Sequence, residues 1–299
     1  MGKISLALGL SSKKQIELYR AAGFDGIFFS CGLGDDISGM VREAEKHGMT
    51  IGSLHAPFMH TDAMWYPSAN TELAVEELLY TVRACAEYDI PVAVVHPFIG
   101  FDRHEPTPVG IENFTRIADE AEKLGVKLAF ENTEGEEYLD ALMEHFKASA
   151  AVGFCYDTGH GICYNPTRDM LSDYGERLAY VHVNDNLGVC GDEITWLDDL
   201  HLLPYDGVCD FDAVARHLAD LGFCDTLTFE LSCVSKPGRH ENDKYAAMAV
   251  EEYLALAYER ASRFARAVEK YAAKNKKYVK MDLQFTLGCD IITRSSETH

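Results

Sequence analysis

Nine side chains able to ligate a metal stand at or near the ends of apolar, strand-like runs: His55 in SLHAPF, His96 in VVHPF, Glu131 in AFEN, Asp157 and His160 in YDTGH, His182 in VHVND, Asp199 and His201 in DLH, and Glu230 in FEL. Imidazole and carboxylate are the donors that Zn²⁺, Mn²⁺, Co²⁺ or Mg²⁺ accept. Glu131 and Glu230 each follow a Phe inside an apolar run, where an unpartnered carboxylate is costly and a dication supplies the missing charge. Asp157 and His160 flank Gly159, expected to let the backbone curl so that both face inward. Asp199 and His201, one residue apart, are expected to project together from an extended loop. A lone His is more often a hydrogen-bonded core or surface residue than a ligand. Six successive strand ends that each carry a donor do not fit that description.

The elements that must position these donors alternate along the chain. Strand candidates are ISLALGL (4 to 10), GIFFS (26 to 30), TIGSLH (50 to 55), VAVVH (92 to 96), KLAFEN (127 to 132), VGFCYD (152 to 157), LAYVHVN (178 to 184) and TLTFEL (226 to 231). Between them, 70 to 88 places Ala74, Val75, Leu78, Leu79, Val82 and Ala86 on one helical face, and 110 to 124 does so with Ile111, Phe114, Ile117, Ala118, Ala121 and Leu124. Gly48, Gly125 and Gly222 follow helical segments as C-terminal stops. Eight near-continuous apolar strands separated by amphipathic helices predict a (β/α)₈ barrel in one domain, residues 1 to 272. Two open doubly wound sheets are the alternative, but no linker divides them. The run from Asn242 to about Lys274 reads as the eighth helix, with Val250, Tyr253, Ala257, Ala261, Phe264 and Val268 as its packed stripe. Residues 273 to 299 form a C-terminal tail, helical extension or frayed terminus, with lysines at 274, 276, 277 and 280.

A parallel barrel brings the C-terminal ends of its strands to one rim, so donors tens of residues apart converge there. A hydrophobic fraction of 47% with 25% charged residues suits a soluble globular protein. The formal charge of -21 repels polyanions, so nucleic acid is not the expected partner. Nine scattered Cys, odd in number and without a CxxC, fit reduced thiols and a cytoplasmic location. No run approaches the roughly 20 apolar residues of a membrane span, and the apolar N-terminal stretch is short for a signal peptide. No GxGxxG or Walker motif stands in a strand-to-helix turn, so no nucleotide cofactor is expected.

With these motifs in place, residues 4 to 265 resemble the xylose isomerase-like TIM-barrel superfamily, which includes sugar isomerases and epimerases and the endonuclease IV-type enzymes. In the sugar-transforming branch the resemblance implies one divalent metal on Glu131, Asp157, His182 and Glu230, with His160 on the substrate. In the endonuclease IV branch it implies additional ligands, for which His55, His96, His160, Asp199 and His201 are the candidates. The chain departs from many relatives after the DxH pair, reading Pro204-Tyr205-Asp206-Gly207 where they read PGxG.

Two mechanisms follow from one constellation. As an isomerase or epimerase, the metal (Mn, Zn, Co or Mg) would hold a carbonyl oxygen and a neighbouring hydroxyl, stabilising an enediolate. Glu131 and Glu230 would then exchange protons on opposite faces of the carbon, an assignment carried by the resemblance. As a phosphodiesterase, a multi-metal cluster would activate water; the acidic rim segments DDIS, EGEEY, GDEITWLDD and PYDG favour a small polar substrate, a sugar or sugar phosphate, over DNA. A barrel that binds sugar or metal without catalysis is the third reading. For substrate contact, Trp65 and Tyr66 in MWYPS offer a lid or a stacking wall and Trp196 an opposite side, with plain loop packing the equal alternative for all three, and Lys236, Arg239 and His240 offer a site for a phosphate or carboxylate.

Overall fold

All eight apolar runs become strands in the computed structural model, which describes residues 3–9, 12–102 and 105–294, with side chains described to residue 276. The elements run β1 (Leu6–Gly9), α1 (Ile16–Ala22), β2 (Gly26–Ser30), α2 (Ile37–Lys46), β3 (Thr50–His55), α3 (Thr71–Glu87), β4 (Val92–Val95), α4 (Pro108–Leu124) and β5 (Lys127–Glu131). They continue with α5 (Glu136–His145), β6 (Val152–Asp157), α6 (Thr158–Cys163), α7 (Met170–Tyr174), β7 (Leu178–Val183), α8 (Phe211–Asp220), β8 (Leu227–Phe229), α9 (Asp243–Ala246) and α10 (Val250–Arg294). Every strand pairs in parallel with its sequence neighbours and β8 closes on β1, giving a (β/α)₈ barrel. Leu10, expected at the end of the first strand, lies outside the described residues.

The strands read as unbroken apolar runs because both faces are covered. All residues of β4 and β8 are buried. Inside the barrel Val92, Val94, Ala129, Cys155 and Tyr180 form one cluster, and Thr228 Oγ1 donates to the Tyr180 hydroxyl at 2.8 Å. Gly52 makes room for that phenol: a Cβ there would lie 2.5 Å from the Tyr180 oxygen. The larger core lies between strands and helices, where Phe114, Phe130, Phe154 and Phe264 are fully buried. Phe264→Ala would cost about 3–5 kcal/mol by transfer and cavity terms.

Local signals set the helix limits. Thr107 accepts from Gly110 N and Pro108 fills the first turn of α4, while Gly125 closes it at φ 73°. Asp36 caps α2 and Asp210 caps α8. The C-terminal region differs from the expected single helix at 242 to 274. A short α9 comes first, then α10 runs from Val250 to Arg294 and buries Ala257, Ala261, Phe264 and Val268. No described helix is long and apolar enough to cross a membrane, and the eight described cysteines are free thiols.

Candidate metal centre and active site

Register carries the strand-borne donors to one height. Asp157 pairs with His182 across β6 and β7, Glu131 with Cys155 across β5 and β6, and Ser30 with His55 across β2 and β3. Glu230 follows β8 by one residue and its N–H donates to Val183 O. Eight of the nine sequence candidates converge at this rim in three groups: Glu131, Asp157, His182 and Glu230; His55, Glu131 and His182; and, linked to them by His160 Nδ1 3.3 Å from Glu131, His160, Asp199 and His201. His96 joins through Nε2, 3.5 Å from Glu131 Oε2.

The contacts within these groups suit an ion. His182 Nδ1 stands 3.1 Å from Glu131 Oε1 and 3.2 Å from Glu230 Oε2. Donors around a metal bonded at about 2.1 Å sit roughly 3 Å apart, so the spacing is that of neighbouring ligands. Three histidines hold Nδ1 against a main-chain carbonyl: His55 on Ala56 O at 2.8 Å, His160 on Asn132 O at 2.9 Å and His201 on Glu230 O at 3.0 Å. A ring that donates from Nδ1 presents Nε2 as a lone pair when neutral. His55 Nε2 faces Glu131 Oε2 at 3.2 Å, and His201 Nε2 faces Asp199 Oδ2 at 2.8 Å. Two acceptors in contact need a cation, either a proton on the ring or a metal between them. His182 Nε2 and Asp199 Oδ1 are also buried without a hydrogen-bond partner. The donor set therefore fits a divalent ion, and carbonyl-tethered imidazoles are the usual outer support of such ligands.

Electrostatics follow from burial and crowding. Burial alone would raise the Glu131 carboxyl, but His182, His160 and His55 hold it well below the usual carboxylate range. Burial lifts Asp157 to about 6, opposed by His160 and reinforced by Glu131 and Glu230. Burial would favour neutral rings, yet Asp157 and Asp199 raise His160 well above its ordinary value, and Asp199 raises His201 to about 9. His96 goes the other way, to about 4, because burial outweighs Glu131.

Several positioning residues escaped the sequence reading. Asn132 exchanges two hydrogen bonds with the Asp157 main chain, and Asn184 Nδ2 donates to Asp157 Oδ2 at 2.8 Å. Phe28 stacks on His182 at 4.8 Å and Phe58 on His96 at 4.6 Å. Asp185 anchors the segment after the DxH pair, accepting from Gly207 N and Cys209 N. The ND pair following VHV was the available signal, since Asn and Asp inside an apolar surround must find backbone partners.

Gly159 plays a different part from the one expected. It lies within α6, Asp157 caps that helix on His160 N, and a Cβ at Gly159 would lie 1.7 Å from Asn184 Oδ1. The glycine admits Asn184. His201 is not in an extended loop: at φ 49° it takes the left-handed conformation that turns its ring back on Asp199. Tyr205 takes φ 73°, the left-handed region that glycine enters without strain. That conformation costs about 1–2 kcal/mol. The ring packs 4.9 Å from Phe211, beneath the Arg263 guanidinium at 3.8 Å.

The substrate candidates separate. Trp65 is fully buried, donates to Pro97 O at 2.7 Å and packs on Phe114 and Tyr138, so it is core rather than lid. The apolar floor beside α4, where Gly110 abuts the indole, drew it inward. Arg239 is committed to Glu241 at 2.7 Å, Leu197 O at 3.2 Å and Asp198 at 3.5 Å, and braces a loop rather than offering a free phosphate clamp. Trp196 is 52% exposed. Lys236 Nζ lies 5.4 Å over its ring and 3.7 Å from Asp199, so both stand at the mouth. His240 is exposed and contacts Asp243.

A family model for the xylose isomerase-like TIM barrel matches residues 16–254. The chain belongs to that family. Solved xylose isomerase-like barrels share its fold. A xylose isomerase domain protein from Planctomyces limnophilus superposes with a TM-score of 0.69 at 14% identity, over 90% of this chain and 99% of that one. An L-ribulose 3-epimerase gives 0.68 at 18% identity, over 93% and 98%. An uncharacterized protein of Sinorhizobium fredii, y4fM, is 32% identical over 134 residues, which span 42% of this chain and 40% of that protein.

Proposed function

We propose that this family member is a divalent-metal-dependent isomerase or epimerase of a small polyhydroxylated carbonyl compound. The observation that carries the reading is the pair Glu131 and Glu230, which both lie within 3.2 Å of the same His182 nitrogen while Glu230 keeps 30% of its side chain open. Glu131, Asp157, His182 and Glu230 would hold the ion, which supplies positive charge beside a developing oxyanion when bound. Glu230 would exchange a proton with substrate, a role its partly open side chain supports. Glu131 is closed off by the imidazoles of His55, His96, His160 and His182, which weights its part towards holding the ion. Phe28 and Phe58 shield the rings behind it from water.

The test is exchange of solvent deuterium into ketoses by the metal-loaded protein, read by NMR at the carbon beside the carbonyl. Glu230→Gln is expected to slow exchange by about 10²–10⁴-fold, the usual contribution of a general acid–base group. No exchange with any ketose at full metal loading would overturn the reading. One observation favours a second, a multi-ion hydrolase: eight of the nine donors fall into three groups, two sharing Glu131 and His182 and the third formed by His160, Asp199 and His201. Hydrolysis of bis(p-nitrophenyl) phosphate without deuterium exchange would select it.

A further inference from the structure

A cavity of about 660 Å³ opens over β1, β2 and β8 and meets the donor cluster at Glu230 and Phe28. Glu131, Asp157 and His182 have no exposed surface, so a substrate that reaches the four-residue group arrives along Glu230. The rest of that substrate then occupies this cavity. At roughly 30 Å³ per water the space equals about twenty waters, room for a second group beyond the reacting carbonyl and its neighbouring hydroxyl.

Its walls select against charge. Among the described lining residues Lys13 is the one cation, and it is already paired with Asp36 at 2.9 Å. Asp35 and Glu230 bring the carboxylates to three, so the lining is net negative. A phosphate monoester carries about -1.5 to -2 charge and would enter against that field with no free cation to receive it. Lys236 and Arg239, outside this lining, are engaged with Asp199 and with Asp198 and Glu241. The remaining wall is largely apolar, formed by Phe28, Met40, Leu231, Val234, Val250 and Leu254, with Val234 64% exposed at the lip. Such a surface accepts the C–H face of a sugar or an aromatic ring.

We propose that the substrate is an unphosphorylated sugar with a free carbonyl at its reacting end and a second neutral group attached away from that carbonyl, a glycosidic substituent or a further sugar unit, which is seated over β1, β2 and β8. This rests on the isomerase or epimerase reading for the reacting end and narrows its substrate class. The experiment compares binding of a panel of phenyl glycosides with the corresponding sugar 6-phosphates to the manganese-loaded protein, by saturation-transfer NMR and calorimetry. At least one phenyl glycoside is expected to bind tenfold or more tightly than its phosphate counterpart. Ser30→Trp, which places an indole in the cavity from the exposed end of β2, is expected to remove that binding while metal content stays unchanged. Equal or tighter binding of the phosphates, a panel without binders, or glycoside affinity unmoved by Ser30→Trp would each overturn the proposal. Deuterium exchange into simple ketoses is read in parallel. Exchange without glycoside preference sinks the cavity assignment alone, and glycoside binding without any exchange sinks the catalytic reading alone.

Discussion

Glu131, Asp157 and His182 ride on the last residues of β5, β6 and β7, and Glu230 follows β8 directly, whereas Asp199 and His201 come from the long segment between β7 and α8. The first group inherits its geometry from the sheet ladder. The second is held by local means: a left-handed His201, a bridge between Asp185 and Leu202, and hydrogen bonds from Gly207 and Cys209 to Asp185. Two ways of making a ligand rigid therefore meet at one rim. Strand ends fix height and direction together, while a loop must be tied at several points to reach the same precision.

The largest effect should come from the residue that serves more than one group. Glu131→Gln leaves His55, His96, His160 and His182 without their common carboxylate, and elemental analysis should show metal lost throughout. Turnover should fall by at least about 10²–10³-fold, as when one electrostatic element of a site is removed. A separation of the two regions comes next. His182→Ala should empty the strand-borne group, whereas His201→Ala should empty only the loop-borne group and leave the other loaded. Equal losses in both variants would erase the distinction between them.

The smallest effect is one of pH and concerns metal-free protein. His201 is lifted to about 9 in the fold, where Asp199 outweighs burial, from about 6.5 when unfolded. A raised histidine contributes stability that is full below about pH 6.5 and is lost as pH rises through about 9. Metal-free protein should therefore melt at lower temperature at pH 9 than at pH 6.5. Loaded protein should not show this loss, because the ion takes the place of the proton, and metal affinity should rise across the same window. Thermal melts of both forms at the two pH values check the sign.

The strands were legible because parallel strands buried on both faces leave long apolar runs, and β2, β3 and β6 have the limits those runs suggest. Donors at strand ends were legible for the same reason: a charged residue closing an apolar run stands out. What supports them was not. Asn184, expected to close the seventh strand, and Asp185 just after it carry no sign of their role until the fold shows them fully buried beyond the strand end. Trp65 reads like a lid because WY follows an exposed-looking motif, and only packing against Phe114 and Tyr138 reveals it as core. The backbone angle of His201 leaves no trace in composition, since a side chain at positive φ is set by its contacts rather than by its type.

Tyr205 extends the reach of the C-terminal helix into this chemistry. Its ring lies under Arg263, Arg260 donates to Pro204 O at 2.7 Å, and Asp206 is gripped by Arg260, Lys244 and Tyr245. A glycine at 205 would make the same turn with less strain but would leave Arg263 of α10 without the ring it covers. The helix thus works as a backstop for the DLH loop, bracing from outside the barrel the chain that begins three residues after His201.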